Sequence, residues 1–253
     1  MIRNILVFFI LLVVSSTSAQ NEVLFNRATE SYNSGDYEKA IEYYQKIIEN
    51  GKHSAELYFN IANTYYKQNE IGPSVYYYEK ALLLKPNDPE IINNLGYAQN
   101  TRLDAIENIP KSAMKRLYNV IVGKLSFDQW AYFAIAMILL FVFSYLAYYI
   151  LYVALQKRIS FIISMSALFL CVVSVTFAYL QYNNYKSNNP AIIYEREVVI
   201  TSEPNKSSER IFTLHEGTKV NVEEELNDWI KIKIADGQTG WLPKETLKLL
   251  KDF

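Results

Sequence analysis

YFNIANTYYKQNEIGPSVYYYEKALLLKP, residues 58–86, decides the fold. Apolar or small residues return every three or four positions through Tyr58, Ile61, Ala62 and Tyr65, and again through Ser74, Tyr78 and Ala81. That spacing marks one face on each of two helices. Pro73 falls in the first turn of the second, where its missing N–H costs little. At a spacing of 34 residues the stretch matches its surroundings: Ala28, Ala62 and Gly96 align, as do Ala40 with Ser74, Tyr44 with Tyr78 and Ile47 with Ala81. Small residues at these places let helix backbones approach, while Tyr44, Tyr65 and Tyr78 fill the space between layers. In the first copy Gly35-Asp36-Tyr37 forms the corner, with Gly35 as a left-handed helix stop. Asn87-Asp88-Pro89 opens a further helix. The pattern predicts five helices, near 21–34, 37–50, 54–67, 71–84 and 89–106, over residues 20–107.

This order of large and small residues resembles the tetratricopeptide repeat (TPR), present as about two and a half copies. Copy one departs from it at Arg27 and Ser31, and has Lys52 where a closing proline is usual. Stacks of this kind need about three units, so the helix from Ile91 to Ile106 is expected to act as a cap. The resemblance implies a concave, peptide-binding face built from each repeat's first helix. It would carry Phe25, Thr29 and Tyr32, then Phe59, Asn63, Tyr66 and Lys67, then Asn93, Tyr97 and Asn100. The plainer alternative makes Phe25 and Phe59 part of the core and leaves the asparagines solvated.

Outward from the repeats the composition changes. Half of the 253 residues (51%) are hydrophobic, and neither 129–156 nor 159–185 contains an Asp, Glu, Lys or Arg. About 20 apolar residues suffice to cross a bilayer, so these runs predict transmembrane helices at 130–155 and 159–182, an antiparallel hairpin joined by Leu155-Gln156-Lys157-Arg158. With no ionisable group inside either span, the hairpin reads as an anchor rather than a transport path. Residues 1–19 combine Arg3, an apolar core from Ile5 to Val14, and Thr17 and Ala19 before Gln20, the pattern of a secretory signal peptide, with an uncleaved anchor as the alternative. Lys157-Arg158 would then be the cytoplasmic tip, although five basic residues flank the other side; the export signal outweighs that count. The basic segment 108–129 puts Ala113, Met114, Leu117, Val120 and Ile121 on one helical face, which suits either a membrane surface or packing on the repeats. Its last residues, Ser126-Phe127-Asp128-Gln129, form a capping box. Residues 20–107 carry a net charge of −5 and 191–253 one of −3, so a phosphate backbone would meet net repulsion from both, which argues against nucleic acid as a partner.

Residues 190–250 alternate at period two through Ile192, Val198-Val199-Ile200, Val220-Asn221-Val222 and Trp229–Ile234, with a turn at Asp236-Gly237. The order Ser202-x-Pro204, Leu214-x2-Gly217, Trp229, Asp236-Gly237 and Gly240-Trp241 resembles a bacterial SH3-like barrel, implying a groove lined by Tyr194, Trp229 and Trp241 for a peptide or cell-wall glycopeptide. The alternative puts both tryptophans in the core. Glu223-Glu224-Glu225 reads as a solvated edge, since adjacent strand residues face opposite ways. His53 falls in a helix–helix turn and His215 in a strand-turn segment, with no second histidine or ordered carboxylate near either in sequence, so neither reads as a ligand or base; Cys171 is the sole cysteine, and no catalytic motif occurs. The expectation is a non-enzyme without cofactor or metal site.

The whole is thus expected to be a multidomain membrane protein: an α-helical TPR solenoid, a two-helix transmembrane hairpin and a small C-terminal β-barrel. That order of modules, with Asn94-Leu95-Gly96-Tyr97-Ala98 and Leu125-Ser126-Phe127-Asp128-Gln129-Trp130, resembles the membrane-anchored TPR proteins of the Bacteroides aerotolerance operon, the BatE type. The resemblance implies an inner-membrane scaffold beside von Willebrand A-type membrane proteins and a MoxR-type ATPase, linked to envelope or oxidative stress tolerance. Three roles remain open: a periplasm-facing adaptor holding protein partners, a sensor of peptidoglycan, and a purely structural subunit held by hairpin packing.

Overall fold

A computed structural model describes residues 20–101, Asp104 and 112–251. The expected signal peptide, the extension of the fifth helix to Ile106 and the start of the juxtamembrane segment at 108–111 lie outside the described residues. The chain forms two compact units: one joins Met1–Asn108 to Asn189–Phe253, the other is Ile109–Asn188.

In the first unit, residues 20–33 are helical (α1), followed by α2 (Tyr37–Glu49), α3 (Ala55–Lys67), α4 (Ile71–Leu84) and α5 (Pro89–Asn100). Local chemistry sets the ends. Gly35 takes φ 82° after α1, and Gly51, at φ 74°, does at the end of α2 what the absent proline would have done. Asp36, Ser54 and Asp88 each cap the following helix through a side-chain oxygen. The described part of the fifth helix ends at Asn100, where the Thr101 amide turns back onto the carbonyls of Ala98 and Gln99. Ala28, Ala40, Ala62, Ser74, Ala81 and Ala98 are buried at the crossings, and Tyr44, Tyr58 and Tyr78 fill the layers between them.

The rest of this unit is an antiparallel sheet of strands β1 (Pro190–Ile193), β2 (Glu197–Thr201), β3 (Arg210–His215), β4 (Lys219–Leu226), β5 (Trp229–Lys233), β6 (Thr239–Pro243) and β7 (Leu247–Leu249). Their order is β3-β2-β6-β5-β4-β1-β7, folded over a core of Ile193, Val198, Ile200, Leu214, Ile230, Ile232 and Leu242. Asn227, at φ 53°, and Gly237, at φ 93°, turn the β4–β5 and β5–β6 hairpins. A bulge in β4 between Val222 and Glu224 exposes the three glutamates; Glu223 lies 3.8 Å from Lys233 and Glu225 pairs with Lys244.

The β-domain does not stand apart from the repeats. Ile192 and Leu250 belong to the same buried cluster as Ile71, Val75 and Tyr76 of α4. α4 is apolar and buried on nearly every side, as a helix packed all round must be. The repeat array ends after one helix of its third copy, and the β-domain covers the α4 surface that this truncation leaves.

The second unit holds α6 (Ala113–Ile121), α7 (Phe127–Ile150) and α8 (Ala154–Ser187). Both α7 and α8 are long and apolar enough to cross a membrane, and they pack side by side, with Ser160, Ser164, Ala167 and Ser174 of α8 and Ala134 of α7 buried. Small residues there let the two backbones come close. The turn between them is Leu151-Tyr152-Val153, not Leu155–Arg158 as the charge pattern predicts. Lys157 and Arg158 sit inside α8, where the Lys157 amide donates to the Val153 carbonyl at 3.1 Å and Lys157 Nζ lies 5.9 Å from the centre of the Tyr148 ring. The capping box is formed: Ser126 Oγ accepts from the Gln129 amide and Gln129 Oε1 from the Ser126 amide.

Candidate functional site

The first helices of the repeats present the predicted residues as stripes at helical spacing. On α1, the Phe25 ring meets Tyr44 edge-on at 5.6 Å, Thr29 Oγ1 donates to the Phe25 carbonyl, and Tyr32 packs on Tyr37. On α3, Phe59 lies 5.9 Å from Tyr78, and the Tyr78 hydroxyl donates to Asn63 Oδ1. Burial pushes the Tyr78 phenol well above its ordinary range, so it stays a neutral donor. Tyr66 is half-buried beside the same core and Lys67 is exposed. On α5, Asn93, Tyr97 and Asn100 are exposed, Tyr97 at 57%. The phenylalanines thus serve both readings: each supports the core with one edge and shows the other.

One pocket opens on this face, about 210 Å³, lined by Ala55, Glu56, Phe59, Lys85, Asp88, Glu90 and Ile91. Phe59 is the only predicted site residue in it. Its acidic members are there for a reason the motif does not carry: Glu56 and Glu90 occupy the first turns of α3 and α5, where a carboxylate suits the helix dipole. Asp88 caps α5 and accepts from Lys85 Nζ at 2.6 Å, a contact that lowers its pKa despite opposing desolvation. Three carboxylates against one lysine over an apolar floor suit a basic and apolar peptide.

In the β-domain the three predicted groove residues do not meet. Cross-strand partners share a face, and Trp229 pairs with Pro243 while Lys231 pairs with Trp241. Both tryptophans therefore lie on the side of the sheet away from Ile230, Ile232 and Leu242. Trp229 is half-buried and lines a pocket of about 440 Å³ with Lys206, Asp228, Pro243, Lys244 and Glu245. Trp241 is only 8% exposed, and the Thr201 hydroxyl donates to its carbonyl at 3.2 Å. Tyr194 is turned towards the repeats, edge-on to Tyr76 at 6.0 Å and under Lys248 Nζ at 3.7 Å. Burial raises its pKa far above the ordinary tyrosine value. It belongs to the seam, because β1 runs along α4.

Sequence reading missed that seam altogether. Glu216 Oε2 accepts from the Gly72 amide at 2.8 Å, and Lys219 Nζ donates to Glu79 Oε2 at 2.6 Å. Asp104 accepts from the His215 amide at 2.7 Å and the Thr218 hydroxyl at 2.6 Å, with His215 Nδ1 also 2.7 Å away. The carboxylate that His215 meets lies 111 residues earlier in the chain, beyond the reach of any local sequence signal. Among the described residues no cluster of three or more His, Cys, Asp or Glu is placed to hold a metal ion.

Comparison with known families agrees with this division. Residues 21–52 and 55–88 match the tetratricopeptide repeat, and residues 200–248 match the bacterial SH3 domain. No curated protein matches the chain. The chain therefore combines helical TPR repeats, two long apolar helices and a C-terminal antiparallel sheet of the bacterial SH3 type.

Proposed function

We propose that this protein is a membrane-anchored, non-catalytic adaptor whose repeats hold a protein partner through the face formed by α1, α3 and α5. The observation that carries this reading is the pocket floored by Phe59 and Ile91 and rimmed by Glu56, Asp88 and Glu90. The β-domain packs on α4, leaving Tyr97 and the α5 stripe exposed. The repeats and the β-domain share one unit although residues 109–188 separate them. A segment that leaves and returns to one side of a bilayer needs an even number of crossings, and α7 with α8 supplies two. On the resemblance of the module order to BatE-type proteins, the membrane is the bacterial inner membrane and the joint unit faces the periplasm. The complex is then of Bat type, with von Willebrand A-type proteins and a MoxR-type ATPase, acting in envelope or oxidative stress tolerance. In-cell crosslinking with mass spectrometry tests the groove, comparing wild type with Glu56→Lys/Glu90→Lys. Loss of one protein partner, with the variant still folded and in the membrane, supports the adaptor; an unchanged partner list overturns it.

A second reading is favoured by the other pocket. Trp229 with Lys206, Lys244, Asp228 and Glu245 offers an aromatic wall and mixed charge, suited to a cell-wall glycopeptide. Loss of sedimentation with purified peptidoglycan in Trp229→Ala would favour this sensor role, and retention would exclude this pocket from it.

A further inference from the structure

Helix α6 has three distinct sides. Ala113, Met114, Leu117, Val120 and Ile121 form one, and it is bare: Met114 is 75% exposed and Val120 70%. Lys115 and Asn119 lie opposite, with Arg116 at the edge. The third side turns inward. The Tyr118 hydroxyl donates to Gln181 Oε1 at 3.3 Å, and Gln181 Nε2 donates to the carbonyls of Val122 at 3.0 Å and Leu125 at 2.9 Å. The Trp130 indole N–H reaches the same Val122 carbonyl at 2.9 Å.

These bonds tie α6 to a particular level of the hairpin. Gln181 lies where the apolar run of α8 gives way to Tyr182-Asn183-Asn184-Tyr185-Lys186, and Trp130 lies at the start of α7. Around them Phe127 packs on Tyr182 and Tyr185, and Trp130 meets Phe177 edge-on at 5.0 Å. A collar of Trp, Tyr and Phe at the end of an apolar span marks head-group depth. An apolar stripe left open beside such a collar needs a covering. The residues around it, 108–128, carry a net charge of +3.

We infer that α6 lies in the head-group layer of a bilayer, with Met114, Leu117, Val120 and Ile121 dipped among the acyl chains and its basic side against anionic phospholipid. The occupant of the bare face is the lipid surface itself, because the same hydrogen bonds that fix α6 fix it at the interface, and because the local charge complements anionic head groups. This rests on the reading of α7 and α8 as membrane spans.

The test uses the full chain with Cys171→Ala, reconstituted in phosphatidylcholine vesicles with and without phosphatidylglycerol. Spin labels are placed singly at Leu117→Cys, Asn119→Cys and, on the exposed flank of α7, Leu139→Cys. Collision with oxygen, which concentrates in lipid, is compared with collision with a water-soluble nickel chelate. The expected result is a several-fold higher oxygen-to-nickel ratio at 117 than at 119. Phosphatidylglycerol raises the ratio at 117 further, and Lys115→Glu/Lys124→Glu removes that increment. Nickel access at 117 with lipid contact retained at 139 overturns the inference while leaving the hairpin intact. Shielding of 117 from both reagents also overturns it, since protein rather than lipid then covers the face. Nickel access at 139 refutes the membrane reading of the hairpin and the inference with it.

Discussion

Glu216 caps a helix to which it does not belong. Its carboxylate accepts the Gly72 amide at 2.8 Å, while Glu70, the residue at the N-cap of α4, makes no side-chain cap bond. The free amides at a helix start need an acceptor, and the β-domain supplies one to the repeat array. Gly72 makes room for it, since a Cβ there would lie 3.0 Å from Glu216 Oε2 and 3.1 Å from Glu216 Cβ.

Removing this cap should weaken the array and the β-domain together. Glu216→Ala is expected to cost about 1 kcal/mol, seen as a lower melting temperature of the detergent-solubilised chain, with Glu216→Gln recovering part of the loss. Two separate transitions, only one of them shifted, would refute the joint unit.

Asp104 makes the same seam sensitive to acid. Burial alone would raise its pKa, but the donors from Thr218 and His215 prevail and hold it below the ordinary carboxylate value. A carboxylate whose pKa is lowered on folding contributes stability above its unfolded pKa of about 3.9 and loses it as pH falls through the lower, folded value. Asp104→Asn should therefore be less stable at neutral pH and should flatten the acid limb of stability against pH. An unchanged acid limb in urea titrations would exclude this role.

The two tryptophans should respond differently to truncation. Trp241→Ala removes a buried ring and is expected to cost about 3–5 kcal/mol, enough to unfold the β-domain by circular dichroism. Trp229→Ala, at a pocket wall, should leave the fold in place. Trp229 is thus the informative position for ligand binding, and equal losses at both sites would contradict the burial difference.

Gln181→Leu should free the turn between α6 and α7. It removes both bonds from the side-chain amide and the acceptor for Tyr118. Trypsin cleavage after Lys124 in reconstituted protein is expected to become several-fold faster, and an unchanged rate would show that Trp130 alone holds the turn.

What sequence reading could reach follows from how local each signal is. The boundaries of α2, α3 and α4 rest on caps and on spacings within a few residues, and they lie within one residue of the expected ranges. The apolar helices were legible from two charge-free runs, but the turn between them was not. A basic pair attracts the eye as a loop, yet Lys157 and Arg158 can sit in a helix and extend outward. Phe59 lines the pocket at a position that its place in the repeat singles out, whereas Glu56, Asp88 and Glu90 carry no repeat signature and stand in sequence as helix-start residues. Tyr194 and the seam were out of reach, because Gly72 and Glu216 are 144 residues apart and Asp104 and Thr218 are 114 apart. No periodicity in one strand announces that its neighbour is a helix made long before it.

That separation sets an order of events during synthesis. Lys219 meets Glu79 across 140 residues, and at about 5–20 residues per second a ribosome needs roughly 7–28 s to make them. For most of that interval Ile71, Val75 and Tyr76 lack Ile192, and Leu250 follows later still, with an apolar hairpin to be threaded in between. The nascent repeats are then most open to chaperones and proteases, and translation halted before residue 189 would leave α4 uncovered. The packing of α4 is thus completed only by residues 190–250, made more than a hundred residues after the helix itself.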